Sequence, residues 1–272
     1  MFSKNHESFE STSEVNMGKV GIQIYTVREL ANQDLPSAIK LIKDAGYAGI
    51  ELDAGMLNRA EPHQLKAWMD AANLTVIGLT LLMPELNQKI GPMIEYAHIT
   101  GAEWLVMPWI DHKLRKTLRD YESLAQKLNH AGRHAAEQGL GFAYHIHGYE
   151  FTPIGNKRGI DVLVEELEPA YVELQVDTFW VASSGVNVLE FLRHHNDRVG
   201  SLHLKDAASL DPLTDIEVGE GILEMQDIVS YGREHDIDWF IVEQEGTRHS
   251  LFDSIKKSCS NVQEMLNNAH KN

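Results

Sequence analysis

Residues 142–151 read Phe-Ala-Tyr-His-Ile-His-Gly-Tyr-Glu-Phe, an apolar run that ends in two histidines and a glutamate. Residues i and i+2 of an extended chain share a face. His145 and His147 are therefore expected to point the same way, with Glu150 a short distance beyond them. The run predicts a buried strand whose end carries groups that can bind a metal or move a proton.

Three later runs have the same design. Each is a short stretch rich in β-branched and apolar residues, and they end in Asp177, in His203 followed by Lys205, and in Glu243. Polar groups at the ends of successive strands are expected to meet if the strands lie parallel in one sheet.

The chain as a whole alternates between segments with strand-like and helix-like patterns. Strands are predicted at 20–25, 49–52, 75–79, 104–107, 142–151, 171–177, 200–205 and 239–243. Helices are predicted at 34–45, 61–72, 88–100, 115–138, 160–167, 188–195, 222–235 and 251–269. Eight strand–helix units predict an α/β fold, a (β/α)8 TIM barrel, in which chemistry takes place at the C-terminal ends of the strands. A doubly wound open sheet is the alternative, but no G-x-G-x-x-G follows the first strand.

Length and composition favour one domain. A chain of 272 residues with 43% hydrophobic content suffices for one α/β barrel. Residues 1–17 are polar and lack the apolar segment of a secretory signal, so they are interpreted as a flexible N-terminal lead-in to a barrel over 18–272. The single cysteine, Cys259, excludes a disulfide within one chain and favours the reducing cytoplasm.

The charge balance limits the classes of partner. The formal net charge is -16, and such a field repels phosphate backbones and anionic membrane surfaces. No apolar run approaches the roughly 20 residues that span a bilayer. We therefore expect a small molecule as partner, without nucleic acid or membrane, and leave open whether the chain forms a homo-oligomer.

The polar strand ends favour a divalent metal. Buried carboxylates and imidazoles are costly unless they are paired or bound to a cation. Mixed ligands of this kind suit Mn, Mg, Co or Zn. Each residue also has an ordinary interpretation: His203 as a core histidine, Asp177 as a helix N-cap and Glu243 as a solvated strand end.

Six motifs in order resemble those of the sugar phosphate isomerase/epimerase family, the xylose isomerase-like TIM barrels. They are Ile22-Gln-Ile-Tyr-Thr-Val-Arg28, Tyr144-His-Ile-His-Gly-Tyr-Glu-Phe151, Val176-Asp-Thr-Phe-Trp-Val181, Leu202-His-Leu-Lys-Asp206, Val218-Gly-Glu-Gly221 and Phe240-Ile-Val-Glu-Gln244. They extend from about residue 18 to the C-terminal helix and so cover nearly the whole chain.

The resemblance implies a divalent metal held by side chains from strands five to eight. Three ligands carry over directly, to Asp177, His203 and Glu243. The fifth-strand ligand is either His145 or Glu150, because this chain has His-Ile-His where many members have Glu-Asn-His. Glu150 is favoured, since its carboxylate matches the usual charge around the ion.

The resemblance also implies proton transfer next to a carbonyl. A bound metal acts as a Lewis acid and lowers the cost of an enediolate. Glu150 and Glu243 are the candidate bases, while His145 and His147 orient hydroxyls or shuttle protons. Lys205 is expected to neutralise negative charge, or else to form a salt bridge with Asp206 or Glu220.

The expected substrate is an unphosphorylated sugar or polyol. Candidate contacts are Gln23, Tyr25, Trp109 and Trp180, although core packing is the ordinary role for such tryptophans. The glycines of 218–221 could hold a phosphate, but Glu220 would repel it.

The first hypothesis for function is a metal-dependent isomerase or epimerase of a keto-sugar or polyol. The alternative is a metal-dependent lyase, such as an inosose dehydratase or an enzyme that eliminates the aglycone of a 3-keto-glycoside. A non-catalytic sugar-binding barrel is a further alternative. The net charge argues against a DNA repair enzyme resembling endonuclease IV.

Overall fold

A computed structural model describes residues 18–53, 60–83, 86, 90–246 and 249–269. The predicted lead-in, 1–17, and the first two residues of the helix predicted at 88–100 lie outside the described residues. Within those ranges, no helix is both long and apolar enough to cross a membrane.

Eight parallel strands form a closed barrel, which confirms the predicted fold. In order around the barrel they are β1 (Lys19–Gln23), β2 (Gly49–Leu52), β3 (Thr75–Thr80), β4 (Trp104–Met107), β5 (Gly141–Ile146), β8 (Glu173–Asp177), β9 (Val199–Leu204) and β12 (Trp239–Val242). Strand β12 pairs with β1, so no edge is left open.

Helices surround the barrel. They are α1 (Arg28–Gln33), α2 (Leu35–Ala45), α3 (Pro62–Ala72), α4 (Ile90–Thr100), α5 (Leu118–Glu137), α6 (Gly159–Glu166), α7 (Thr178–Ser183), α8 (Val188–His194), α9 (Met225–Glu234) and α10 (Leu251–Ala269). Within the described residues, short 3-10 segments occur at Ile24–Val27, His112–Leu114, Tyr149–Phe151 and Asn196–Arg198.

Several boundaries differ from the sequence prediction. The first strand ends at Gln23, and a 3-10 turn carries Tyr25 away from the strand direction. The strand predicted to extend through residue 151 ends at Ile146. Two hairpins that the hydrophobic pattern did not predict follow the strands, one from β6 (Pro153–Ile154) and β7 (Lys157–Arg158), the other from β10 (Asp206–Leu210) and β11 (Leu213–Ile216).

The barrel interior has an apolar lower layer. Ile77, Trp239 and Ile241 pack together there, apart from the main core. Glycines make room for them: a Cβ on Gly21 would lie 2.2 Å from Ile77 Cδ1, and one on Gly49 would lie 2.8 Å from the Trp239 ring. These side chains occupy the lower layer, and polar residues further along the strands lie toward the C-terminal end of the barrel.

Candidate functional site

Four strand ends bring potential metal ligands together. His145 belongs to β5, Asp177 ends β8, His203 lies near the end of β9 and Glu243 directly follows β12. One ligand atom from each of the four residues lies within 4.8 Å of the other three. Atoms that share one ion at roughly 2.1 Å are at most roughly 4.2 Å apart. The group is therefore only slightly wider than a loaded site.

Asp177 shows that a cation fits this group. Its Oδ1 accepts the Trp180 N–H at 2.9 Å, which caps the start of α7. Its Oδ2 is buried and has no hydrogen-bond partner within the described chain. A buried carboxylate oxygen normally has a partner, so both predicted roles of Asp177, helix cap and ligand, are compatible in one side chain.

His203 lies between two carboxylates. Its Nδ1 is 2.9 Å from Glu243 Oε2, and its Nε2 is 3.0 Å from Glu51 Oε1, although the latter contact is not aligned as a hydrogen bond. Burial alone lowers the pKa of His203, but the charges of Glu51 and Glu243 outweigh burial and raise it to about 10. Without a metal, this imidazole therefore carries a proton.

The two acidic ligands differ in pKa because their neighbours differ. Burial raises the pKa of Asp177 to about 7, against the opposing charge of Lys205. Burial also favours neutral Glu243, but the hydrogen bond with His203 and the charge of Lys205 outweigh it and hold the pKa of Glu243 well below its usual range. In the metal-free protein, the proton of His203 and the ammonium group of Lys205 supply the positive charge near these carboxylates. A bound divalent ion would supply such charge directly.

The two histidines of the fifth strand remain neutral. Burial, reinforced by the neighbouring His203, holds the pKa of His145 well below its usual value. Burial also lowers the pKa of His147 to about 4. His147 Nδ1 is buried without a hydrogen-bond partner in the described parts of the chain.

Glu150 is not placed in the group of four ligands. It lies on the 3-10 turn that follows β5, so the strand alternation that positions His145 and His147 has stopped before it. Its carboxylate is fully buried, where Oε1 accepts the Tyr144 hydroxyl at 2.6 Å and Oε2 accepts the His147 backbone N–H at 3.0 Å. Burial raises the pKa of Glu150 to about 8, against the hydrogen bond from Tyr144.

The raised pKa of Glu150 gives a pH-dependent prediction for Glu150→Gln. Between about pH 4.5 and 8, folded Glu150 holds a proton that the unfolded chain has lost, so this residue lowers the free energy of unfolding as pH rises. Glutamine does not titrate. We expect E150Q to gain stability relative to wild type between pH 5 and 9, by about 2–4 kcal/mol at 1.36 kcal/mol per pKa unit.

Urea unfolding of both proteins with a chelator present measures this difference. The same substitution at the exposed Glu137 serves as control. A stability difference between the two proteins that stays constant from pH 5 to 9 would contradict this prediction, because it would show that Glu150 is already ionised in the folded protein.

Lys205 forms ion pairs with acidic residues of the site. Its ammonium group is buried, 2.5 Å from Glu245 Oε1 and 3.4 Å from Glu243 Oε1, and it lies over the rings of Phe179 and Trp180. The predicted alternative partners are engaged elsewhere: Glu220 pairs with Lys257, and the Asp206 carboxylate accepts backbone N–H groups.

The glycine motif at 218–221 has a structural explanation. Asp206 Oδ2 accepts the N–H groups of Gly219 and Gly221, at 2.9 and 3.0 Å. A Cβ on Gly221 would lie 2.2 Å from Asp206 Oδ1. The donors that a phosphate would need are already bound to a carboxylate.

A hollow of about 300 Å³ lies beside the four ligands, two of which, His145 and Glu243, line it. All four predicted substrate contacts line it: Gln23, Tyr25, Trp109 and Trp180. Tyr25 and Trp109 are 42% and 50% exposed, so their rings are available to a ligand. Gln23 is buried, and its amide is engaged by Glu51 and by a backbone N–H.

Three residues that the sequence reasoning missed belong to this site: Glu51, Gln175 and Glu245. Glu51 is 1% exposed and lies inside the barrel, where it accepts the side-chain amides of Gln23 and Gln175, both at 2.7 Å. A charged residue within the apolar run Gly49–Leu52 was the available signal. Such a residue needs a buried partner.

Residues 39–265 match the family model described as xylose isomerase-like TIM barrel. An inosose dehydratase of Geobacillus thermodenitrificans is 37% identical over 99 residues, which are 36% of this chain and 33% of that protein. An inosose dehydratase of Bacillus cereus is 27% identical over 179 residues, 59% of each chain. The chain thus spans about a third to three fifths of the length of these curated relatives.

Solved structures share the architecture. A sugar phosphate isomerase/epimerase from Parabacteroides distasonis has a TM-score of 0.79 at 20% identity, over 90% of this chain and 96% of that one. The IOLI protein, whose structure contains a zinc atom, has a TM-score of 0.69 at 14% identity, over 92% and 97% of the two chains. At these identities the likeness shows the fold.

Proposed function

The chain belongs to the xylose isomerase-like TIM barrel family, and on that premise we propose that it is a divalent-metal-dependent dehydratase of a sugar-like polyol that carries a keto group. The reaction begins with removal of a proton beside a carbonyl and ends with loss of water. The group of four ligand atoms beside the hollow carries this proposal. The inosose dehydratases among the relatives support elimination as its outcome.

We assign the ion to His145, Asp177, His203 and Glu243. When bound, a divalent ion supplies a Lewis acid that polarises the substrate carbonyl. Two imidazoles and two carboxylates suit Zn, Mn or Co better than Mg, which prefers oxygen ligands. The zinc atom in the IOLI protein agrees with this preference. Glu150 is not included, because its carboxylate is turned toward Tyr144.

His147 is the proposed proton acceptor. It lines the hollow, and its imidazole is unprotonated at neutral pH, since burial lowers its pKa to about 4. Glu150, one of the two bases predicted from the sequence, does not line the hollow. It accepts the His147 backbone N–H and thus supports the position of that residue.

The hollow also favours an uncharged polyol. The described residues that line it include no lysine or arginine but four acidic ones, Glu51, Asp53, Glu243 and Glu245. An anionic phosphate would meet like charge there. Lys205 does not line the hollow, but its ammonium group forms ion pairs with two of these carboxylates, Glu243 and Glu245. The exposed faces of Tyr25 and Trp109 suit the C–H surface of a ring.

An isomerase or epimerase is the second candidate. The solved structure from Parabacteroides distasonis, which bears that name, has the same barrel. Both reactions begin with the same proton removal and differ only in whether a β-hydroxyl then leaves.

Proton and carbon NMR in D2O distinguishes the two. We expect that the metal-loaded protein, given inososes and ketoses, converts an inosose into a product that has lost one water, and that EDTA stops the reaction. A product with the formula of its substrate would instead identify an isomerase or epimerase. Failure to bind any divalent ion would contradict both candidates.

A further inference from the structure

A chain of hydrogen bonds crosses the barrel interior beside the metal ligands. It begins at the backbone N–H of Tyr25, which donates to Gln23 Oε1 at 3.1 Å. A backbone N–H is always a donor, so the orientation of the Gln23 amide is fixed. Its Nε2 therefore donates to Glu51 Oε1, at 2.7 Å.

The second half of the chain reaches a metal ligand. Gln175 Nε2 donates to Glu51 Oε2 at 2.7 Å, and Gln175 Oε1 lies 2.9 Å from His145 Nδ1. Both oxygens of the Glu51 carboxylate thus accept a side-chain amide N–H, one from Gln23 and one from Gln175. Glu51 therefore requires the NH2 of Gln175, which turns the amide carbonyl toward His145. Nδ1 must then be the nitrogen that carries the proton.

A neutral imidazole has one donor and one acceptor nitrogen. With the proton on Nδ1, Nε2 of His145 keeps its lone pair, and this is the nitrogen left to face Asp177, His203 and Glu243. The opposite tautomer would place a hydrogen where the ion must bind. The orientation of one amide thus determines whether His145 can act as a ligand.

We propose that Glu51 is a positioning residue that, through Gln175, fixes the metal-binding tautomer of His145. The same carboxylate lies 3.0 Å from His203 Nε2, so it neighbours both imidazoles of the site. This inference rests on the proposed metal site, but the residues to which it gives a new role, Glu51 and Gln175, lie outside the ligand group. Its distinctive consequence is a tautomer that can be observed without any metal.

Glu51→Gln tests the polarity of the chain with little change of shape. The carbonyl of the introduced amide takes the place of Glu51 Oε1 beside Gln23, so the NH2 of that amide faces Gln175. Gln175 must then reverse its own amide and present NH2 to His145 Nδ1. We expect the proton of His145 to move to Nε2.

The exchange E51Q/Q175E is the matched control, because it restores every donor and acceptor. The amide introduced at position 51 accepts from Gln23 and donates to the new carboxylate at position 175, which accepts from His145 Nδ1–H. A purely packing role for Glu51 predicts no rescue by a second substitution 124 positions away.

Two measurements follow. Long-range ¹H–¹⁵N spectra of the metal-free proteins should show the Nδ1–H tautomer of His145 in wild type and in E51Q/Q175E, but the Nε2–H tautomer in E51Q. Competition with a chelator for Zn²⁺ should show about 10–100-fold weaker binding in E51Q, the usual effect of losing an outer-shell partner, and recovery in the double variant.

An unchanged His145 tautomer in E51Q overturns the inference, as does weakened binding that the double variant does not recover. A wild type with the expected tautomer but without affinity for Zn²⁺ overturns the metal site instead, so the two failures can be told apart. If E51Q does not fold, Gln175→Met removes the link and leaves Glu51 in place. That variant should give a mixture of His145 tautomers, and a single unchanged tautomer would contradict the inference.

Discussion

Asp177→Asn is expected to weaken binding of the divalent ion by about 10²–10³-fold and to lower turnover by at least as much. The substitution removes a charged ligand, which is worth several kcal/mol, and each 1.4 kcal/mol is a factor of ten. The carbonyl of the introduced amide can still accept the Trp180 N–H, so the start of α7 should stay intact. Titration of the metal-free protein with Zn²⁺ or Mn²⁺ measures the loss.

The free energy of unfolding distinguishes a specific loss of metal binding in D177N from a general loss of folded protein. Asp177 Oδ2 is a buried oxygen without a hydrogen-bond partner in the described structure, and burial raises the pKa of the side chain. Replacing the Asp177 carboxylate with the amide of asparagine should therefore leave the free energy of unfolding of the metal-free protein unchanged or higher. Asp34→Asn is the matched control, because Asp34 caps α2 through the Ser37 N–H and lies outside the hollow. Equal metal affinity in D177N and wild type would contradict the role of Asp177.

His147→Gln is expected to lower kcat by about 10²–10⁴-fold, the usual contribution of a general base, while metal affinity stays close to that of wild type. His147 lines the hollow but is not one of the four grouped ligands. Glutamine keeps a polar side chain of similar length without a basic nitrogen. Exchange of substrate protons with D2O measures the step directly.

Two controls make the His147 result specific. His63→Gln changes an exposed histidine on α3 and should leave exchange unchanged. The metal content of H147Q should match that of wild type. Unchanged exchange with full metal content would rule out His147 as the base, and lost metal would identify it as a ligand instead.

The sequence was most informative where strand alternation holds. Asp177, His203 and Glu243 each terminate an apolar run, and closure of the barrel brings such ends together whatever the loops do. Glu150 shows the limit of this reasoning. It follows Gly148 and lies on a 3-10 turn, and the conformation of that turn depends on tertiary contacts such as the Tyr144 hydroxyl.

Glu51 and Gln175 could not be paired from the pattern. They lie on β2 and β8, strands that are not neighbours, and their side chains meet only across the barrel interior. That contact depends on the register of every strand between them. Lys205 is similar, since its partner Glu245 follows another strand, 40 residues later, and the nearer Asp206 is occupied by backbone N–H groups.

Anomalous diffraction from a crystal of the wild-type protein soaked in Mn²⁺ or Zn²⁺ tests the metal site most directly. We expect one strong peak, about 2.0–2.2 Å from His145 Nε2, Asp177 Oδ2, His203 Nδ1 and a Glu243 oxygen, with Glu150 still bound to Tyr144. A peak coordinated by Glu150 in place of His145, or no peak among these residues at saturating metal, would contradict the proposed site.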